Sequence, residues 1–282
     1  MLKIAIQKNG RLSEKSIDLL KECGIKFNGT AALKSKAQNF PVEALFLRDD
    51  DIPQYVEQKV ADIGIIGENV VFEKNKNIKI VEHLGFASCK LSLAIPKEEI
   101  YTGINYFMNK KIATSYPVIL NNFLQKHQIT ATVEEISGSV EIAPGIGLAN
   151  AICDIVSSGS SLMANGLKEV EIILKSQAVI VANNDLSAEK ESILKNLLFR
   201  IRAVKNGTEN KYILLNAPES SIDEICNILP GMKSPTILPL AKKGWCSIHS
   251  VVNEDTFWER IDLLKKAGAE SILVIPIEKM IL

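Results

Sequence analysis

The sequence predicts an α/β protein of two similar lobes around a cleft, followed by a small C-terminal unit. Three observations lead there. Short apolar strands alternate with helix-period segments along most of the chain, the pattern of a largely parallel sheet with helices on its faces. Two of these strands are echoed: Lys3-Ile-Ala-Ile by Lys111-Ile-Ala-Thr, and Ala61-Asp-Ile-Gly-Ile-Ile-Gly67 by Cys153-Asp-Ile-Val-Ser-Ser-Gly159. From Tyr212 onward the order becomes strand, helix, strand, strand, helix, strand. At 282 residues the chain also exceeds what one ordinary hydrophobic core supports.

In order, Leu2–Ile6 reads as a strand, and Ser13 is a helix N-cap candidate ahead of the apolar face of Ile17, Leu19 and Leu20. Gly24 sits where that helix should stop. Glu43–Leu47 is a strand, and Asp51-Ile-Pro53 opens a helix with proline in its first turn. Asp62–Gly67 is a short buried strand ending in glycine. The apolar stretch Glu169–Ala182 returns the chain to the first lobe, and Ser187–Lys205 is a helix closing it. Asn206–Lys211 is polar and turn-rich, a linker by composition. Strands at Tyr212–Asn216, Pro235–Pro239, Trp245–Val252 and Ser271–Ile277, with helices at Ser221–Leu229 and Phe257–Ala267, complete the small unit, where Trp245 and Trp258 are expected to pack the core. Lobe I is thus 1–95 with 178–205, lobe II is 96–177, and the C-terminal unit is 206–282.

Composition narrows the function. With 33 basic and 33 acidic residues the formal charge is zero, so a nucleic-acid partner is not expected and any phosphate site must be local. Five cysteines without a CxxC and three scattered histidines argue against zinc and disulfide frameworks. With no signal-peptide pattern and no apolar run of about 18 residues, a cytoplasmic chain without a membrane partner is expected.

The chemistry concentrates at Asp154-Ile-Val-Ser-Ser-Gly-Ser-Ser161. An apolar strand followed by a small polar loop and a helix start presents backbone N–H groups and a favourable dipole to an anion. Ser157, Ser158, Ser160 and Ser161 add hydroxyl donors, and Gly159 lets the backbone approach closely. Asp154 cannot serve the phosphate, but it can accept hydrogen bonds from ribose hydroxyls, so the pair fits a ribose 5-phosphate. Glu141 can accept another hydroxyl or hold Mg²⁺ through water. A flexible connector shares this composition; the apolar strand before it and the acid at its head favour a phosphate site. No Gly-Lys-[Ser/Thr] follows, so it is not a P-loop, and Gly145-Ile-Gly147 lacks the third glycine of a dinucleotide fingerprint.

The segment resembles the signature of the ATP phosphoribosyltransferases, carried here by Glu141, Gly147, Ala149, Ile152, Asp154, Ile155, Ser158, Gly159, Ser161 and Leu162. Ser161 stands where the family usually has threonine, Gly145 where many members have arginine, and Asn150 where many have aspartate. Further similar segments, among them Gln7-Lys-Asn-Gly-Arg-Leu12, Cys89-Lys-Leu-Ser-Leu-Ala94 and Ser234-Pro-Thr-Ile-Leu-Pro239, extend the resemblance over nearly the whole chain, in the long form with a regulatory domain.

The resemblance implies two lobes of the periplasmic-binding-protein type and a ferredoxin-like C-terminal regulatory domain. It implies condensation of ATP with 5-phosphoribosyl diphosphate to N1-(5-phosphoribosyl)-ATP and diphosphate, with Mg²⁺ as cofactor. Adenine N1 attacks the anomeric carbon with its own lone pair, so no general acid or base is assigned. Lys8, Arg11, Arg48, Glu68 and Tyr116 are the candidates for ATP and diphosphate, with Lys90 a further cation. Tyr116 has a core or hinge role as its alternative, and Asp49–Asp51 reads as helix capping and dipole compensation in preference to a metal site. Histidine is the implied feedback inhibitor, with Ser234, Thr236, Asn216 and Ser271 as its candidate contacts, and dimers assembling to hexamers are the implied oligomers. Solute-binding proteins share the two-lobed plan, but they need no phosphate–ribose constellation.

Overall fold

The computed structural model describes residues 1–28, 33–156, 159–229, 231 and 234–282. Contacts divide the chain into one unit of Met1–Lys21 with Ile25–Leu194 and a second of Glu22–Gly24 with Lys195–Leu282.

The first unit holds two sheets. One is built from β1 (Leu2–Gln7), β2 (Lys34–Lys36), β3 (Val42–Leu47), β4 (Ile63–Gly67), β5 (Ile78–His83) and a later strand, with helices α1 (Arg11–Glu22), α2 (Ile52–Glu57) and α3 (Glu68–Lys74) between them. The other is built from β6 (Cys89–Pro96), β7 (Lys111–Thr114), β8 (Thr132–Glu135), β9 (Ala151–Val156) and β10 (Leu167–Ser176), with α4 (Pro117–Lys126) and α5 (Ser160–Ala164). The chain then returns through β11 (Ala178–Asn183) to the first sheet and enters α6 (Ala188–Glu209).

The orders are β2-β3-β1-β4-β11-β5 and β10-β6-β9-β7-β8. Set β1 on β7, β3 on β8 and β4 on β9, and the two sheets are the same arrangement. Each has three parallel strands, then an antiparallel strand supplied by the crossover, β11 in one and β6 in the other. Strands β1, β4, β9 and β11 are buried along most of their length, which explains their near-continuous Ile, Val and Ala.

Pairing registers the repeat differently from the sequence echo. Ile63 lies beside Ile4, as Ala151 lies beside Ile112. Asp62 therefore corresponds to Asn150, not to Asp154. The hydrogen bonds agree: Lys3 N–H donates to Asp62 Oδ2 at 2.8 Å, and Lys111 N–H donates to Asn150 Oδ1 at 2.9 Å. Both side chains satisfy a strand-leading N–H. An amide oxygen does this as well as a carboxylate, so asparagine at 150 keeps that task. Asp62, buried, also pairs with Lys190 at 2.7 Å, which makes the charge useful there.

Three local expectations change. Helix α1 starts at Arg11, because Gly10 at φ 95° turns the chain and its carbonyl accepts from Glu14 N–H at 3.1 Å; Ser13 is buried within the first turn instead of capping it. Asp49–Asp51 forms a 3-10 turn without a side-chain capping bond, and Asp50 pairs with Lys74 at 3.1 Å. Residues 206–209, linker-like in composition, continue α6. Gly207 is the reason they can: a Cβ there would lie 2.7 Å from the Ile277 carbonyl oxygen and 2.9 Å from Lys279 N. The C-terminal segment runs against the helix at this point, with Met280 N–H donating to Ala203 O at 2.7 Å.

The second unit is an antiparallel sheet of β12 (Asn210–Pro218), β13 (Thr236–Pro239), β14 (Trp245–Asn253) and β15 (Glu270–Pro276), in the order β13-β14-β12-β15. Helices α7 (Ile222–Ile228) and α8 (Glu254–Lys266) make the βαββαβ pattern, and they cover a core containing Ile213, Leu215, Ile248, Phe257 and Leu264. Asn253 caps α8, its Oδ1 accepting from Asp255 N–H at 3.0 Å. Trp258, expected in this core, is 60% exposed, its ring edge-on to buried Phe257. Trp245 is half-buried under the Lys242 ammonium, 4.0 Å from the ring centroid.

Candidate active site

Parallel strands collect the candidate residues at their C-terminal ends. β1 ends at Gln7, β3 at Leu47 and β4 at Gly67, so Lys8 and Arg11, Arg48, and Glu68 leave one sheet by the same edge. In the other sheet β7 ends at Thr114 and β9 at Val156, which places Tyr116 and the 159–161 segment at the equivalent edge. Ligands of open α/β sheets bind at such edges. The two edges meet: Asn69, in the first turn of α3, donates from Nδ2 to Tyr116 Oη at 3.4 Å.

A cavity of about 570 Å³ opens there, lined by Glu68 and Val156 and by the crossover residues Cys89, Lys90, Lys175 and Gln177. Of the predicted cations, Lys90 reaches it, and Lys90 donates to Glu169 Oε2 at 2.6 Å while Ser92 holds the other oxygen at 2.9 Å. Its charge is thus balanced within the protein. Lys8, Arg11 and Arg48 are exposed and lie outside this lining. Arg11 occupies the first position of α1, where a cation opposes the helix dipole at a cost of about 0.3–1 kcal/mol. A bound anion would reverse the sign of that term. Lys175, Ser176 and Gln177 escape sequence reasoning because they sit in an apolar stretch that reads only as a return strand. The polar Lys-Ser-Gln interruption is the signal that could have found them.

In the loop, Ser157 and Ser158 lie outside the described residues. Gly159 has φ 75°, a left-handed conformation that suits glycine, and its carbonyl accepts from Met163 N–H at 3.0 Å. The helix it opens, α5, has only five residues, so its dipole adds little. Donors here are backbone N–H groups and the hydroxyls of Ser160 and Ser161. Ser161 Oγ donates to Glu141 Oε1 at 3.2 Å, tying the loop to the acid that opens the segment.

Asp154 is half-buried on β9, with Oδ1 accepting from Ile155 N–H at 2.8 Å. Burial raises its pKa, the Ile155 N–H works against that, and the Glu141 carboxylate adds to the rise. Two acids close enough to repel form an acceptor pair near the Gly159–Ser161 segment. The Tyr116 hydroxyl is held well above the ordinary tyrosine pKa, first by burial and then by Asp154. It stays a neutral group able to donate. Its ring packs against the core of its lobe, so the core role and a cleft role coexist.

Within the C-terminal unit, Ser234 and Thr236 line a second cavity of about 570 Å³ together with Tyr212, His249, Ser250 and the terminal Leu282. His249 is fixed by Tyr212 Oη, 2.7 Å from Nδ1, and by Ser247 Oγ, 3.0 Å from Nε2. Ser250 Oγ is buried without a protein partner among the described residues. Asn216 lies on β12 outside this lining, and Ser271, at φ 50°, borders a different cavity with Trp258. The structure therefore brings two of the four effector candidates together.

Comparison with known proteins shows the family. A family described as ATP phosphoribosyltransferase matches residues 48–203, and the family described as HisG, C-terminal domain, matches residues 208–279. The ATP phosphoribosyltransferase of Cytophaga hutchinsonii is 58% identical over 282 residues, covering 100% of this chain and 99% of that protein. That of Bacteroides thetaiotaomicron is 56% identical over 100% of both chains. Among solved structures, an ATP phosphoribosyl transferase (HisG:HisZ) complex from Thermotoga maritima superposes with a TM-score of 0.61 at 29% identity, covering 71% of this chain and 98% of that one. No helix among the described residues is long and apolar enough to cross a membrane.

Proposed function

The chain belongs to the ATP phosphoribosyltransferase family, the enzymes of the first step of histidine biosynthesis, and from that premise we propose how its residues divide the work. ATP is one substrate, and 5-phosphoribosyl diphosphate is the other. The observation that carries this reading is the juxtaposition of Asp154 and Glu141 with the Gly159–Ser161 donors, bound together by the Ser161–Glu141 hydrogen bond. Donors take the 5-phosphate, and Asp154 accepts from the ribose hydroxyls. Adenine N1 supplies its lone pair to the anomeric carbon while the bond from that carbon to diphosphate breaks. No proton need be removed to start the reaction, so the protein's part is alignment and charge stabilisation.

Lys8, Arg11 and Arg48 at the facing edge hold the polyphosphate groups, and Glu68 and Tyr116 border the nucleotide. Mg²⁺ fits the residues present. Among the described residues no three-ligand cluster exists, and Mg²⁺ carried by substrate phosphates needs only one or two carboxylates, of which Glu141, beside the loop, would hold it through water. When bound, it neutralises charge on the leaving diphosphate.

Residues 206–282 form the regulatory domain, and histidine enters the cavity of Ser234 and Thr236. The buried Ser250 hydroxyl and the oriented His249 ring support a polar ligand there. Mixing protein, ATP, Mg²⁺ and 5-phosphoribosyl diphosphate and following N1-phosphoribosyl-ATP by absorbance tests the activity; folded protein that forms no product refutes it. For the effector, Thr236→Val should weaken inhibition by histidine about tenfold, the scale of one lost hydrogen bond to the ligand, while Ser271→Ala leaves it unchanged.

A further inference from the structure

Helix α4 is poorly equipped to begin where it does. Its N-cap residue is Tyr116, which makes no side-chain capping bond, and Pro117 at the first position has no N–H. The donors that need partners are Val118 N–H and Ile119 N–H. Both go to one carboxylate from the other lobe: Glu73 Oε1 accepts from Val118 at 3.0 Å and Glu73 Oε2 from Ile119 at 3.0 Å. One turn earlier on the same helix α3, Asn69 donates to Tyr116 Oη at 3.4 Å, accepts from Ser176 Oγ at 3.0 Å on Oδ1, and donates from its backbone N to Ser176 Oγ at 3.0 Å. Asn69 is 5% and Ser176 6% exposed. Three points of α3's surroundings, the start of α4, the Tyr116 hydroxyl and the β10–β11 crossover, are thus tied to one short helix of lobe I.

We propose that Glu73 is a positioning residue for the transfer: by capping α4 from the opposite lobe it fixes the angle between the lobes, and so the alignment of the ATP side with the ribose side. A self-sufficient helix would carry its own cap in its own sequence. Here the cap exists only while the lobes hold this relation, and rotation about the two crossovers would break both bonds at once. The proposal rests on the reading above in one respect, that ATP and the ribose phosphate are held on different lobes. Among the described residues Glu73 bonds to Val118 and Ile119 and not to Asp154 or Gly159–Ser161, so its loss should leave each half-site intact and spoil their mutual placement.

The test compares native protein with Glu73→Ala and Glu73→Gln. Expected for Glu73→Ala is a kcat lowered about tenfold, with the dissociation constant for 5-phosphoribosyl diphosphate bound alone within about twofold of native. Glu73→Gln, which keeps one acceptor oxygen, should fall between. A readout independent of catalysis is the distance between spin labels at Lys36 and Thr132, both exposed on the outer strands of the two sheets. Its distribution should broaden in Glu73→Ala. An unchanged distribution overturns the proposal whether or not the protein turns over. So does a kcat within twofold of native, or a kcat and binding loss that move together and equally in both variants, the mark of general destabilisation. Native protein that makes no N1-phosphoribosyl-ATP would refute the functional reading instead, and the label distances would still decide the role of Glu73.

Discussion

Asp154→Asn isolates the charge of the ribose acceptor from its shape. The amide keeps an oxygen for Ile155 N–H, which now sits 2.8 Å from Oδ1, and fills the same volume on β9. What is lost is the negative charge. Hydrogen bonds to charged groups contribute about 1.5–3 kcal/mol and neutral ones about 0.5–1.5, so the change costs about 1–1.5 kcal/mol of substrate binding. At about 1.36 kcal/mol per decade, kcat/KM for 5-phosphoribosyl diphosphate should fall about five- to thirteenfold. Stability should move the other way. The Asp154 pKa is raised above 3.8 by burial and by Glu141, so between its unfolded and folded values the native state binds more protons than the unfolded chain. Native stability therefore drops as pH climbs through that interval, and the deficit persists at neutral pH. The amide introduced by Asp154→Asn does not titrate, so the variant escapes that deficit. Steady-state kinetics and thermal melts at pH 4 and pH 7 measure both effects. Undiminished kcat/KM would refute the ribose assignment, and a variant less stable than native at pH 7 would refute the electrostatic account.

Two further predictions concern the frame. Asn150→Asp should change stability by less than about 0.5 kcal/mol, whereas Asn150→Leu, which cannot accept from Lys111 N–H, should cost about 1 kcal/mol by denaturant titration. Gly207→Ala sets a helix-propensity gain of about 1 kcal/mol against overpacking of about 1–3 kcal/mol. The atoms in the way are backbone atoms of the 277–279 segment, so the clash should win, lowering the melting temperature and opening the C-terminus to carboxypeptidase. A more stable variant would contradict the packing.

Much of this fold was legible because its signals are local. Gly67 and Gly159 end or follow buried strands, Pro53 marks a helix start, and the strand–helix alternation needs no tertiary knowledge. The candidate loop at 154–161 stands out in the sequence for the same reason, since apolar strand, acid and small hydroxyl residues are contiguous. What escaped depends on partners distant in sequence. Asp62 looks like the counterpart of Asp154 by spelling, but strand register makes it the counterpart of Asn150. Glu73 reads as one more charge on a short helix until the fold brings Val118 to it. Residues 206–209 have a linker's composition, and only the C-terminal segment packed on Gly207 explains why they are helical.

The exchange of strands between the two sheets also bears on how the chain is made. β5 pairs with β11 and has no pairing with β4, so lobe I holds an open slot until residues 178–183 arrive. On a ribosome the first lobe would wait, with β4 unpaired along one side and β5 without a strand partner, while the whole of the second lobe is synthesised. Such delayed, long-range pairing is slow and leaves strand edges exposed to aggregation. Within the first unit the cleft is therefore closed late, and expression of residues 1–96 alone should give a sheet missing its inner strand.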